Sequence, residues 1–544
     1  MGMPEGSFKR RLSLLDLTFL GVGSIVGSGW LFASMHASAK AGSLAWLAWL
    51  IGAFAVVLIG IVYAEIAAAI PRAGGFVRYP EYTHGSLVGF MIGFASMLAY
   101  SSVAGIEVEA VRGYASHYWH ALQTSNGNPT ALGIIIQFAL LVLFFLVNYW
   151  SVQVFGKVNT IVTSIKFLVP LLTIVVLLLH FHASNFSVGG ASPGGINGVF
   201  QAVSTAGIVF AFLGFRQAVD FGAEARNPQR DIPRAIVMAV ILALVIYLLL
   251  QIAYLGAVPK ANLAGGWASV NFADAPYADL AVALGMTWLS TVIFVDAVIS
   301  PSGTGNIYMS GTARSLFAWA RNGHFYSIFG RVDKRTGIPR PAMWLTLILA
   351  AIWTLPLQFQ AWSGLVGAVT SATVMTYMIG PVSAASLRKT DPDLHRPFRL
   401  KGLGFWSLLA FIAATCIIYW SGWSTNVYLI GLTLGGVLVL YFAFMDKDAS
   451  TRSKVKTEWK NGVWLIVYYL FIGVMSAIGD YTGKGMKTYI GYPWDTVVVI
   501  AGAIVFYYWG VNSALPKAVI ADEPAEEAGS YRAAEAPSSN RFGV

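Results

Sequence analysis

Apolar stretches of about twenty residues, each closed off by a short polar segment, recur from Leu15 to the neighbourhood of Gly510. An α-helix of that length rises about 30 Å, the thickness of a bilayer's hydrocarbon core. Backbone N–H and C=O groups within lipid must be satisfied inside the segment itself, so such stretches read as helices. The chain is therefore expected to be an all-α integral membrane protein. Its charged fraction of 11% agrees, since soluble domains carry about 25%. The single cysteine, Cys416, lies inside an apolar run and excludes an intrachain disulfide framework and a multi-cysteine metal site.

About fourteen spans fit the pattern. The expected organisation is a cytoplasmic N-terminus (1–14), helices one to five (15–182), helices six to ten (198–387), helices eleven and twelve (404–446), a cytoplasmic linker (447–462), helices thirteen and fourteen (463–512), and a disordered cytoplasmic tail (513–544). Of the 35 lysines and arginines, 28 fall in one alternate set of polar segments and only 4 in the other. Short cytoplasmic loops collect basic residues, so both termini are expected on the cytoplasmic side of a cell membrane. The excess of positive charge is thus topology, and its expected partner is membrane lipid rather than nucleic acid. A cleaved signal peptide is disfavoured, because Gly21, Gly23, Gly27 and Gly29 interrupt the first apolar run.

Three basic residues remain inside predicted spans: Arg112, Lys166 and Arg216. Glu65, Glu107, Glu109 and Asp296 are the comparable acids. A charge near the bilayer centre costs about 2.5–3.5 kcal/mol on insertion scales, so each needs a partner, a watery cavity or a role. Glu109 and Arg112 are helical neighbours and are expected to pair. Glu65 lies near the inner end of its span and reads as structural. Glu107 and Asp296 are left as candidates for proton coupling.

Two spans contain glycine-interrupted runs, Gly21 to Trp30 in the first and Gly207 to Arg216 in the sixth. Small residues in membrane helices commonly serve close packing. If spans one to five and six to ten are repeats, however, the odd number per repeat inverts the second copy, and the two runs occupy equivalent positions. A break exposes N–H groups that attract a carboxylate and carbonyls that attract an ammonium. Two facing breaks suit a zwitterion, and an α-amino acid is the obvious one.

The residues at these positions resemble the amino acid-polyamine-organocation superfamily of transporters, in particular its proton-coupled bacterial amino acid permeases. Ile25-Val-Gly-Ser-Gly-Trp-Leu-Phe32 is similar to the family's first-helix motif, and Phe210 to Pro228 with Pro233 resembles the sixth helix and its following loop. Pro71-Arg-Ala-Gly-Gly75 and Gly311 to Gly323 add two more matches in the same order. The resemblance covers about Leu12 to Asp446 and implies the five-plus-five inverted-repeat (LeuT-like) fold, here with four additional C-terminal helices. It implies that Ser24, Ile25, Val26, Gly27, Ser28 and Gly29 offer backbone groups to the substrate, its α-carboxylate lying at the amides of Gly27 to Gly29. Carbonyls around Phe210, Ala211, Phe212 and Leu213 would meet the ammonium, and Phe210, Phe212 and Phe215 would line or gate the site, or simply pack.

Lys166 lies two turns inside the fifth span, deep for a lysine that only snorkels to the surface. Gly156 to Lys166 resembles the family's fifth helix, where proton-coupled members place a lysine in the space that sodium fills in other relatives. The resemblance thus implies a proton-coupled carrier, since a buried lysine can lose and regain its proton during transport. Arg216 stands where the family often has an acid. Its guanidinium would accept a second carboxylate and repel cationic substrates, which points to aspartate or glutamate. Alternatively it pairs internally with Asp220, Glu107 or Glu109 and never meets substrate.

No phosphate-binding loop or paired metal-binding histidines are present, so no enzyme, cofactor or metal is expected. The expected function is a secondary active, proton-coupled symporter of an acidic amino acid. An exchanger, a permease for neutral amino acids, and a channel or nutrient receptor on the same fold remain open.

Overall fold

The computed structural model describes residues 8, 10–125, 127–150, 152–188, 194–270, 272, 275–355, 362–437, 457–483 and 485–520. Most of the expected linker, the end of the twelfth span and the tail from 521 lie outside the described residues. Within them the chain is all-helical, apart from isolated bridges between Leu12 and Ala225 and between Gln123 and Pro129.

Ser13 caps the first helix: its hydroxyl accepts the Asp16 N–H while the Asp16 carboxylate accepts the Ser13 N–H at 2.8 Å, a reciprocal cap that fixes where the chain enters the helix. Helix α1 (Leu14–Ile25) and α2 (Ser28–Ala41) divide the first span, and α3 (Ala45–Ala69) forms the second. Then come α4 (Gly75–His84), α5 (Ser86–Ser116), α6 (Ala131–Trp150) and α7 (Val152–Leu178). The sixth span is split into α8 (Gly195–Thr205), α9 (Ile208–Phe212) and α10 (Gln217–Asp220), and α11 (Pro228–Ala257) opens on a proline at its first turn. The chain continues through α12 (Pro276–Ala283), α13 (Thr287–Arg321), α14 (Arg340–Trp353), α15 (Trp362–Tyr377), α16 (Ile379–Thr390), α17 (Leu403–Trp420), α18 (Trp423–Gly436), α19 (Val463–Ile478) and α20 (Trp494–Asn512).

Among the described residues, eight helical segments are long and apolar enough to cross a bilayer, and nine when the bent pair α8 to α10 is taken as one span. Their outer faces carry exposed Leu143, Leu168, Met238 and Val245, and α13 adds Val295, which suits contact with lipid rather than water. Helix α5 is almost wholly buried and packs along α13, making the centre about which the broken helices are arranged. Lipid tails are as apolar as these side chains, so close contact and internal polar bonds hold the helices together. Glu65 illustrates the latter: Arg388 donates to both of its oxygens, at 2.8 and 2.6 Å, and the Leu400 N–H donates at 2.7 Å. Arg112 donates to Glu109 at 3.1 Å, the pairing expected from their spacing, and also to Gln123 at 2.8 Å.

Helix α4 lies where the apolar pattern alone assigns only a loop. Its mixed polarity hides it from a search for apolar runs, yet nearly all of it is buried. The C-terminal helices brace it. His84 shares a hydrogen bond of 2.9 Å with the Gly510 carbonyl, while Leu515 and Val519 donate backbone N–H groups to Thr83 and Tyr82 at 2.8 and 3.0 Å. Part of α20 and the segment after it are thus packed on α4.

Candidate functional site

The first helix stops because Val26 (φ −80°, ψ 87°) and Gly27 (φ −128°, ψ −139°) leave helical geometry, and α2 restarts at Ser28. The interruption turns carbonyls out of the helical ladder. Lys166 Nζ donates to the Gly23 carbonyl at 2.5 Å and lies 2.8 Å from Thr304 Oγ1. The Thr304 hydroxyl lies 2.9 and 3.2 Å from the carbonyls of Gly23 and Val26, Ser300 Oγ donates to Val26 at 3.2 Å, and the Tyr247 hydroxyl donates to Ile25 at 2.7 Å. An ammonium therefore sits against a cluster of carbonyl and hydroxyl oxygens, the donor set that otherwise ligates a hard cation.

A Cβ on Gly27 would stand 2.6 Å from Thr304 Oγ1 and 2.9 Å from Glu107 Oε1, so a side chain there would drive these groups apart. Glu107 is fully buried; its Oε2 accepts the Ser28 N–H at 2.9 Å, and its Oε1 has no hydrogen-bond partner among the described residues. The amides of Gly27 to Gly29 were expected to meet the substrate's α-carboxylate. One of them holds a carboxylate of the protein instead, because a helix N-terminus attracts whichever anion is within reach. Buried Asp296, like Glu107, lies within electrostatic reach of the Lys166 amine.

The sixth span breaks at Ala206 and Gly207, with a bend of 44°. Gly207 has φ +90°, a conformation that an L side chain strains. The two spans touch near these breaks: Ser24 Oγ, at the end of α1, donates at 2.9 Å to the carbonyl of Gly214, between α9 and α10. The Leu213 carbonyl, expected near a substrate ammonium, accepts from the Tyr377 hydroxyl at 2.7 Å. Phe212 packs edge-on against Trp49 and Tyr247, and Phe215 against Tyr377, with ring centroids 5.7, 5.6 and 5.2 Å apart. Phe210, at 7% exposure, and Ala211 are buried beside them.

Arg216 lies wholly buried behind this break. Its Nε donates to Asp220 at 2.6 Å, and its terminal nitrogens donate to Thr376 at 3.3 Å and Ser315 at 3.0 Å. Its guanidinium carbon lies 3.5 Å from the Tyr100 ring centroid and 4.5 Å from that of Phe76. Of the two arrangements open to Arg216, this is the internal ion pair with its i+4 neighbour. Three hydrogen bonds leave two of a guanidinium's five N–H groups without an assigned acceptor.

Ser300, Thr304, Tyr247 and Tyr377 join the site without having been expected there. The first two had a signal: Asp296, Ser300 and Thr304 recur at every fourth residue of α13, which puts them on one face. The tyrosines had none, since their partners are backbone carbonyls far away in the chain.

A family profile described as amino acid permease matches residues 12–442. The chain belongs to the amino acid permease family. The permease is 43% identical over 523 residues to the aspartate-proton symporter of Bacillus subtilis (strain 168), covering 95% of this chain and 99% of the relative. It is 38% identical over 512 residues to the glutamate/serine transporter AimA of the same organism, covering 93% and 94%. A more distant relative, the branched-chain amino acid permease BcaP, is 27% identical over 457 residues, or 82% of this chain and 95% of that one.

Proposed function

We propose that this permease is a proton-coupled symporter of an acidic amino acid, aspartate or glutamate, working by alternating access about its two broken helices. The observation that carries the reading is the placement of the Lys166 ammonium, 2.5 Å from the Gly23 carbonyl exposed by the first break. An amine tied there couples its own protonation to the shape of the helix that offers backbone groups to substrate. When protonated it bridges α7 to the break and to α13. When neutral it loses a charge-assisted bond, and the bridge weakens. Glu107 and Asp296, which lie within electrostatic reach of the same amine, are the groups proposed to exchange the proton with it. The similarity to an aspartate-proton symporter and a glutamate/serine transporter supports both coupling and substrate class.

The proposed architecture is the five-plus-five inverted repeat with about fourteen spans in a cell membrane, both termini cytoplasmic. In support, helices occupy the positions of the expected spans, and the breaks fall in the first and sixth. Ser24 to Gly29 and Phe210 to Leu213 are the proposed substrate contacts, and Phe210 is the aromatic residue best placed to reach the substrate. Arg216 is proposed to read the side-chain carboxylate with the N–H groups that Asp220 leaves. A second reading is favoured by the 2.6 Å Arg216–Asp220 bond itself: the pair is structural, and acidic substrates are chosen elsewhere in the site.

The test is uptake of radiolabelled aspartate by the purified protein in liposomes under an inward proton gradient without sodium. Concentrative uptake that neither leucine nor arginine blocks is expected. A sodium requirement would overturn the coupling. Exchange without net accumulation would identify an exchanger, unsaturable flux a channel, and binding without flux a receptor.

A further inference from the structure

A groove of about 620 Å³ opens where the end of α3, the start of α11 and the segment before α17 meet. It lies far along α11 from the candidate site, at the end of the bundle that carries the basic loops. Its volume is in the range of small-molecule pockets, roughly 300–1,000 Å³. Its lining has two chemistries. Ile61, Val237, Met238 and Phe398 make an apolar wall, and Met238 is 45% exposed on the outer, lipid-directed face of α11. Arg230 and Arg234, one helical turn apart and both exposed, stand at its polar edge. Neither arginine side chain makes an ion pair or hydrogen bond among the described residues.

Three arginines at the same end are instead held within the protein. Arg388 and Arg396 share Glu65, and Arg314 is bound to Glu224. Two exposed guanidinium groups one turn apart can take an anion between them, and planar forks of this kind suit a phosphate. An apolar wall continuous with the lipid-facing surface calls for hydrocarbon. A free phosphate or a substrate amino acid would use the first feature and waste the second; a lipid uses both. We infer that this groove is a binding site for an anionic phospholipid, whose phosphate is held by Arg230 and Arg234 and whose acyl chains lie along Val237 and Met238. Basic pockets between helices at the cytoplasmic leaflet are the expected form of such sites. The occupant would touch both α11, whose Tyr247 holds the first break, and residues 397–398, which lie between the Arg396 and Leu400 contacts to Glu65. Its binding therefore joins the element that contacts the broken helix to one fixed on α3.

The inference rests on the membrane-embedded reading of the permease, and its test is read without any substrate, so that its failure leaves the uptake result untouched. Purified full-length protein is delipidated, mixed with phosphatidylglycerol or phosphatidylcholine, and examined by native mass spectrometry. Wild type is expected to keep phosphatidylglycerol in preference. The Arg230→Ala/Arg234→Ala variant is expected to lose about thirtyfold of that preference, from roughly 1 kcal/mol for each of the two basic residues at an anionic surface. Met238→Trp, which keeps both charges and fills the apolar wall, is expected to lower retention too, and it serves if the double variant fails to fold. Arg331→Ala, an exposed arginine elsewhere, should retain the preference. Equal retention of the two lipids by wild type, or an unchanged preference in the double variant together with unchanged retention by Met238→Trp, overturns the inference. So does displacement by millimolar glycerol 3-phosphate, which would identify a site for soluble anions, or protein dimers in place of lipid adducts, which would identify a second copy as the occupant.

Discussion

Lys166 and Gly23, separated by 143 residues, are joined by a hydrogen bond of 2.5 Å from a buried ammonium to a carbonyl that the helix has given up. Removing the amine leaves the carbonyls of Gly23 and Val26 with only the hydroxyls of Ser300 and Thr304 as donors. A buried polar group left unsatisfied costs about 1–3 kcal/mol, a loss that a folded membrane protein survives. Lys166→Ala is therefore expected to remain folded and to bind substrate, yet to lose accumulation driven by a proton gradient while keeping exchange of labelled for unlabelled substrate. Uptake and counterflow measured on the same liposomes check this. Wild-type accumulation by Lys166→Ala would remove Lys166 from the coupling.

The two breaks depend on glycine for different reasons, and their substitutions should differ accordingly. At Gly207, φ +90° makes alanine a matter of backbone strain, about 1–2 kcal/mol. At Gly27 the obstacle is contact, with Thr304 Oγ1 and Glu107 Oε1 both within 2.9 Å of a Cβ. Gly207→Ala should lower the unfolding temperature modestly with transport reduced. Gly27→Ala should abolish transport, because relief requires moving the α13 and α5 groups that surround the break. Gly404→Ala, in a helix and with no atom within 4 Å of its Cβ, is the control and should leave both unchanged.

Both breaks are legible in the amino-acid sequence because lipid punishes an unwound helix so heavily that clustered glycines within a span carry meaning. The Glu109–Arg112 pair is legible because helical neighbours need no knowledge of the tertiary fold. What escapes are contacts between distant elements: Ser28 to Glu107, Tyr247 to Ile25, Tyr377 to Leu213. Each has a backbone group on one side, and a backbone group leaves no trace in the sequence. Helix α4 escapes for another reason. It is buried against protein rather than lipid, so its polarity resembles that of a loop. Arg216 lies between these cases, since its spacing to Asp220 is visible in the sequence, whereas the enclosing rings of Tyr100 and Phe76 are not.

Arg216 and Asp220 are both fully buried, so losing one partner strands the other. Breaking such a pair costs about 3–5 kcal/mol, while replacing both members by neutral groups is often tolerated. Asp220→Asn and Arg216→Gln alone are expected to lower the unfolding temperature, and the double variant to recover most of the loss. The double variant then separates the two readings of Arg216. If the guanidinium reads the second carboxylate, the folded double variant no longer prefers aspartate over asparagine in competition uptake. An aspartate preference kept at the wild-type ratio assigns the pair to structure alone.

At the end of the bundle with the basic loops, the N-terminal segment is strapped across the sixth-span loop. Arg11 and Leu12 donate backbone N–H groups to the Glu224 carbonyl, both at 2.9 Å, and the Arg226 N–H returns to Leu12 at 2.9 Å. The Glu224 side chain takes a 2.5 Å bond from Arg314 on α13, whose guanidinium also lies over Phe221 at 3.8 Å. Glu224 thus ties the N-terminal segment, the sixth-span loop and α13 together at this end. Glu224→Gln keeps the shape and removes the charge, and with it the stronger, charge-assisted form of the bond. The expected result is a protein that opens more readily at this end. A cysteine introduced at Gln217, wholly buried in this structure, should react faster with a membrane-permeant maleimide in the Glu224→Gln background. The native Cys416 is buried in α17 and should contribute little labelling. Equal labelling rates with and without Glu224→Gln would mean that the backbone strap alone holds this end shut, and that the ion pair is incidental to closure.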